Sequence, residues 1–277
     1  YIQFDTGALN PMLKNVEEIR QFGKQIDFGK TAADYGRHRA GFPPAFFERL
    51  TSMGILRPGI RALDLGTGTG TIARGLAIRG CITTGLDRSA SLMAEAARLD
   101  REAGVTVRYV SASAEATGFA AASFDLVTAG QCWHWFDRAR AAAEARRILD
   151  AGGRIVIAHF DWIALPGNLA DATEKLIEKH NPKWNLGGGL GLHPRWLADL
   201  SVAGFRDIET FSFDLDAPYT HESWRGRIRA SAGIGASLDP DSVERFDAEL
   251  AAILEARFPD DPLHVLHRVF AAIGVAP

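Results

Sequence analysis

Ile60, Ala62, Leu63 and Leu65 form an apolar run that breaks at once into Gly66-Thr67-Gly68-Thr69-Gly70-Thr71. Few folds accept that junction. The run is short and continuous, as a strand buried on both faces must be. Beyond the glycines, Ile72, Leu76 and Ala77 return at helical spacing with Arg74 and Arg79 among them. Strand, glycine turn and helix open a doubly wound α/β unit, whose ligand lies where strand ends and helix starts meet. Side chains in the turn would keep the backbone off a ligand, and some turn positions need positive φ.

The spacing narrows the ligand. The dinucleotide fingerprint is G-x-G-x-x-G, with its third glycine packing helix on strand beside a pyrophosphate. Here Gly66, Gly68 and Gly70 alternate, and Thr71 stands where that third glycine belongs. A nicotinamide-dependent oxidoreductase is therefore the weaker alternative. Asp64 precedes the turn; a carboxylate there repels a pyrophosphate but can hold an ammonium, directly or through water. Asp-x-Gly-x-Gly-x-Gly resembles the first motif of the class I S-adenosylmethionine-dependent methyltransferases. The resemblance implies a Rossmann-like, mostly parallel seven-stranded sheet, with S-adenosyl-L-methionine held around Asp64, Gly66, Thr67, Gly68 and Gly70.

At 277 residues the chain fits one large domain or two small ones. We read it as a single domain, with an N-terminal lid over 1–45 and an insertion after strand five over 160–192. A net charge of −3 gives no basic footprint, which argues against nucleic-acid substrates. Cys81 and Cys132 lack paired spacing and fit a reducing compartment. Neither a signal sequence nor a run of membrane-spanning length is visible, so a soluble, cytoplasmic protein is expected. Tyr1 is not expected to be the natural start.

Leu13, Val16, Ile19 and Phe22 predict an amphipathic helix over 10–28. Next, Tyr35 and Arg39 match a Tyr-x-x-x-Arg element of many small-molecule methyltransferases, which implies contact with the methionine end of the cofactor; a surface loop is the alternative. Past the glycines, the strand Cys81–Leu86 ends in Asp87 with Arg88 beside it. A carboxylate about 20 residues beyond the glycines is where a ribose diol is held; the alternative role is a helix N-cap, which Ser89 could equally fill. A third strand over Val105–Val110 leads to Ser113-Ala114-Glu115. The family commonly has Asp-Ala-Glu here, which implies that the Ser113 hydroxyl and the Ala114 amide meet the adenine, with Glu115 as an anchor.

The fourth strand, Phe124–Ala129, empties into Gln131-Cys132-Trp133-His134-Trp135-Phe136-Asp137. Three aromatic residues and a histidine at a strand's carboxyl end suit the rim of a ligand crevice. Gln131-x-x-His-Trp-Phe resembles the fourth-strand motif of a subgroup that includes trans-aconitate methyltransferase relatives and the type 11 enzymes. His134 is then either a general base beside the transferred methyl or a packed histidine in the floor under the cofactor. After the turn at Asp150–Gly153, a fifth strand is expected over Arg154–His159. The insertion beyond it carries aromatic residues and a hinge at Gly187–Gly191. Trp133, Trp135, His159, Trp162, Trp184, Arg195 and Trp196 are the candidate lining of an acceptor pocket. Arg195, Arg225 or Arg227 could hold an acceptor carboxylate.

Helices are expected over His193–Val202, His221–Ala236 and Ser242–Phe258. Strands are expected over Phe205–Leu215 and Leu263–Ile273, and the family implies that the last runs antiparallel. His264 and His267 share a face only on a helix and have no third ligand nearby, so no metal is expected. The function implied is methyl transfer to a carboxylate or hydroxyl of a small organic molecule. Such a displacement needs alignment more than a catalytic constellation, so a non-catalytic cofactor-binding module is the other class kept open. The oligomeric state is not legible.

Overall fold

The computed structural model describes residues 41–277. The helix expected over 10–28, nearly all of the 1–45 lid, Tyr35 and Arg39 lie outside the described residues. Within them, the chain begins with α1 (Pro44–Ser52), β1 (Arg61–Leu65), α2 (Thr71–Ile78), β2 (Ile82–Asp87), α3 (Ala90–Glu102), β3 (Arg108–Ser111) and β4 (Phe124–Gly130). It continues through a 3₁₀ turn at Trp133–Trp135, α4 (Arg138–Ile148), β5 (Leu149–Trp162), α5 (Leu169–His180) and α6 (Arg195–Val202). The last elements are β6 (Arg206–Tyr219), α7 (His221–Arg229), α8 (Pro240–Arg257) and β7 (Leu263–Val275).

The strands make one seven-stranded sheet in the order β3-β2-β1-β4-β5-β7-β6. Neighbours from β3 to β5 pair in parallel, whereas β7 runs antiparallel to both β5 and β6. The winding reverses between β1 and β4, which opens a crevice at their carboxyl ends. The inner strands β1, β2, β4, β5 and β7 are buried on both faces over most of their length, as the apolar runs require, whereas the edge strands β3 and β6 are largely open. On β5, Val156, Ala158 and Phe160 pack with Phe46, Leu176, Phe246 and Leu250. Ile155 and Ile157 point the other way, onto Ala141, Ala145, Ile148 and Leu200. Alternate β5 side chains thus pin a helical layer on each side.

Several boundaries differ from those read in the sequence. The third strand starts at Arg108. The fifth strand is 14 residues long, because β7 gives it partners as far as Trp162 opposite His267. Residues 160–162 therefore belong to the sheet and not to an insertion. The Asp150–Gly153 turn lies within the strand, at a register shift opposite Phe124 and Leu126. The helix expected over His221–Ala236 ends at Arg229. There, Gly233 turns the chain so closely against α5 that an added Cβ would lie 2.7 Å from the Ile177 Cγ2.

Candidate functional site

The glycine turn closes over the tip of β1 by local hydrogen bonds. Thr67 N donates to Leu86 O at 2.9 Å, and Gly70 N donates to Thr67 O at 2.8 Å. Gly66 has φ +60°, and a Cβ on it would lie 2.9 Å from both Cys132 Sγ and Phe136 Cζ. Cys132 is fixed there because its thiol donates to Leu65 O at 3.1 Å. Gly70 has φ +76° and would meet the Tyr109 hydroxyl at 2.5 Å. That hydroxyl donates to Asp100 at 2.7 Å, and Arg74 meets the same carboxylate at 2.8 Å. Arg74 also donates to Thr69 O at 2.7 Å. The far side of the turn is thereby held by a buried ion pair.

Asp64 is buried, and its two oxygens accept from Thr67 Oγ1 and Thr128 Oγ1, each at 2.7 Å. Burial pushes its pKa up to about 6, and the two hydroxyls restrain the rise. The turn is braced from below by this residue. Asp87, at the tip of β2, accepts from Gly68 N through Oδ2 and from Ser89 N through Oδ1, both at 2.8 Å. The cap of α3 is Ser89, whose hydroxyl accepts from Leu92 N, so Asp87 is not needed for it. A carboxylate can accept about four hydrogen bonds, and these two leave capacity for a pair of hydroxyls. Those remaining acceptor positions can take two vicinal hydroxyls.

At the exit of β3, the Ser113 hydroxyl donates to Glu115 Oε2 at 2.7 Å. Glu115 Oε1 accepts from Asp137 N at 2.9 Å. Although burial opposes it, the Ser113 hydroxyl and backbone amides hold the Glu115 pKa below its ordinary value. Glu115 thus ties the β3 exit to the start of α4. Ala114 is buried. The Arg88 side chain is 78% exposed and reaches Glu115 only at 3.7 Å. Gln131 has φ +60° and donates from Nε2 to Phe160 O at 3.0 Å, joining the exits of β4 and β5.

The aromatic rim divides in two. Trp133 is fully buried, and its indole donates to Asp199 at 3.0 Å; it belongs to the core and corrects the expectation that it lines a pocket. Trp184 is likewise packed in the core beside Ile177. The Trp162 indole donates to Glu174 at 2.8 Å, while its face carries the Arg227 guanidinium at 4.9 Å. The remaining candidates converge. His134 lies 4.2 Å from Trp135 and 5.5 Å from His159, ring to ring. His159 is 5.9 Å from Trp196 and 4.6 Å from His193, and His193 stacks on Trp196 at 4.1 Å. Arg195 opens α6 next to them. His193 itself lies between Leu192 and Pro194, which with Leu197, Ser212 and Phe270 line a cavity of about 380 Å³.

Two members of this group were not singled out from sequence, Asp161 and His193. Asp161 Oδ2 sits 2.6 Å from His159 Nδ1 and 3.7 Å from His193 Nε2. Burial alone would raise its pKa, yet His159 and His193 hold it well below the usual carboxylate range. Burial keeps His193 below its ordinary value, against the pull of Asp161. The signal for Asp161 was its place two residues after His159, which on a strand means the same face.

Of the three arginines considered for a carboxylate, Arg225 is paired with Asp247 and Glu222. Arg227 is 7% exposed, and among the described residues no carboxylate lies within ion-pair distance of it. Burial pulls its pKa down, opposed by Tyr219 and Asp161. Among the described residues no helix is long and apolar enough to cross a membrane.

Residues 63–157 match the family model described as "Methyltransferase domain". A protein of Enterobacter lignolyticus named malonyl-[acyl-carrier protein] O-methyltransferase is 34% identical over 214 residues, covering 76% of this chain and 78% of that one. An uncharacterized methyltransferase of Mycobacterium tuberculosis is 32% identical over 130 residues, 47% of this chain and 50% of its own. The match thus spans about half the length of that relative. Among solved structures, a putative type II methyltransferase from Anaeromyxobacter dehalogenans superposes with TM-score 0.59 at 23% identity, over 86% of this chain and 97% of that one. Phosphoethanolamine N-methyltransferase 2 of Haemonchus contortus, in complex with S-adenosyl-L-methionine, gives 0.55 at 21% identity over 94% and 60%. At such identities the two structures speak for the fold.

Proposed function

Because the chain belongs to the class I S-adenosylmethionine-dependent methyltransferases, we propose that it methylates an oxygen of a small organic molecule that carries a carboxylate. The observation that carries the cofactor half is Asp87, which holds Gly68 N and keeps acceptor capacity for a diol. The acceptor half rests on Arg227, a buried cation over the Trp162 face. Burying a guanidinium costs several kcal/mol; the indole face returns about 1–2, and Tyr219 and the more distant Asp161 offset part of the rest. A carboxylate on the acceptor would complete the balance. The Enterobacter relative is, by its name, an O-methyltransferase, which agrees with oxygen as the target.

S-adenosylmethionine supplies a methyl already activated by its sulfonium. The chain has to hold, align and dry the reactants, and proximity alone can supply about 7–11 kcal/mol of the barrier. The glycine turn and Asp87 would fix the sugar, Ser113 and the Ala114 amide the base, and Asp64 the geometry of the turn. His134, Trp135 and Trp196 would line the acceptor side of the crevice. A carboxylate acceptor needs no proton removed, whereas a hydroxyl acceptor would call on His134 or His159.

The test is calorimetric titration with S-adenosylhomocysteine, followed by transfer of labelled methyl to a panel of small carboxylic and hydroxy acids. Binding with product formation supports the proposal. Binding without transfer to any panel member favours a non-catalytic module, and tight NAD binding in its place overturns the cofactor.

A further inference from the structure

His159, Asp161 and His193 form a cluster in which the proposed methyl transfer gives a task to His159 alone, as a base for a hydroxyl acceptor. The first two share one face at the end of β5, and the third arrives from the segment before α6. One donor atom from each lies within 4.8 Å of the other two. The contacts are ion-pair contacts of unequal length. His159 Nδ1 and His193 Nε2 are both buried without a hydrogen-bond partner, although Asp161 Oδ2 stands 2.6 Å and 3.7 Å from them. Ligand bonds of about 2.0–2.2 Å to one ion set donor atoms roughly 3.0–3.5 Å apart, and the observed separations bracket that range. The rings are also held in place. His193 lies flat on Trp196 at 6° between planes, and His159, 8% exposed, sits between His134 and His193.

We propose that His159, Asp161 and His193 bind a divalent transition-metal ion through two imidazole nitrogens and one carboxylate oxygen. Zinc and cobalt suit this donor set, and calcium and magnesium do not, since they take oxygen ligands. Three protein ligands leave coordination positions for water or for an acceptor oxygen. The latter role rests on the methyltransferase reading; the binding of the ion does not. The proposal replaces the expectation of no metal, which had weighed only His264 and His267. It also excludes His159 as a base through Nδ1 while the ion is bound.

The experiment is titration of the chelator-treated full chain with cobalt(II) alone, read by visible absorption, and with zinc(II), read by metal content after dialysis. About one equivalent is expected, with zinc displacing the cobalt spectrum. Asp161→Asn and His193→Ala should each weaken cobalt binding by about tenfold or more while S-adenosylhomocysteine affinity stays unchanged, which also shows that the variants are folded. The site is overturned if folded wild-type protein gives no cobalt spectrum, or if both variants keep it. A metal-binding chain that takes no S-adenosylhomocysteine would keep this site and overturn the methyltransferase reading instead.

Discussion

Asp87 Oδ2 accepts the Gly68 amide at 2.8 Å, so the carboxylate at the tip of β2 sets the shape of the turn at the tip of β1. In the proposed function those tips are the two places that the nucleoside of the cofactor bridges. Asp87→Asn keeps the size of the side chain but removes the charge, and it turns one acceptor into a donor. A charged hydrogen bond contributes about 1.5–3 kcal/mol, so affinity for S-adenosylhomocysteine should fall about tenfold or more. Calorimetry giving an unchanged dissociation constant would show that the diol is held elsewhere.

Gly66→Ala tests the turn by sterics. A left-handed φ costs a β-carbon about 1–2 kcal/mol, and crowding Cys132 and Phe136 at 2.9 Å adds about 1–3. Denaturant unfolding should show a loss of about 2–5 kcal/mol. Adding Cys132→Ala should return part of the crowding cost and none of the φ cost; full additivity of the two losses would refute the clash.

Asp64 and His267 make opposite pH signatures. Burial raises the Asp64 pKa from 3.8 to about 6. Between those values the unfolded chain gives up the proton first, so this residue lowers stability as pH rises through about 4–6. His267 is pushed by burial from 6.5 down to about 4, and its Nδ1 faces Val265 O at 2.8 Å. Its contribution is present above pH 6.5 and lost as pH falls toward 4. Each amounts to about 3 kcal/mol at 1.36 per unit, and the two largely offset in wild type. Relative to wild type, Asp64→Asn should therefore lose stability more steeply on acidification from pH 6 to 4, and His267→Gln less steeply. Unfolding curves across that range would contradict the argument if both variants shifted the slope in one direction.

Arg227→Met removes the cation and keeps a side chain of comparable reach over Trp162. KM for a carboxylate acceptor should rise about 10- to 100-fold, in line with a charged hydrogen bond, with S-adenosylhomocysteine affinity unchanged. Arg227→Lys should recover part of the loss, because the point charge survives without the fork. Steady-state kinetics with KM at the wild-type level in both variants would remove Arg227 from acceptor binding.

The glycine turn, the position of Asp87 at the tip of β2 and the antiparallel last strand were legible because each follows from local spacing or from a family layout. The end of β5 was not. The expected stop at His159 ignored the pairing that β7 supplies through Trp162 opposite His267, a contact made over a hundred residues away in the chain. That error placed Asp161 in an insertion and hid its shared strand face with His159. His193 was hidden for a similar reason, since only the fold brings the approach to α6 against the end of β5. Trp133 misled in the opposite sense: its rim position suggested a pocket wall, but Asp199 captures its indole from α6. Local pattern shows where a chemical group sits in the chain, whereas long-range pairing decides what it meets.

The seat of β7 between β5 and β6 also bears on how the sheet is assembled. Both neighbours are synthesised before the strand that joins them, so β5 ends for a time in a bare edge of unpaired amides and carbonyls, and β6 has nowhere to dock. Closure waits for pairings between segments distant in sequence, a demand that slows folding. A nascent chain halted before Leu263 would expose a sticky β5 border, and this stage of biosynthesis is where a chaperone would be needed most.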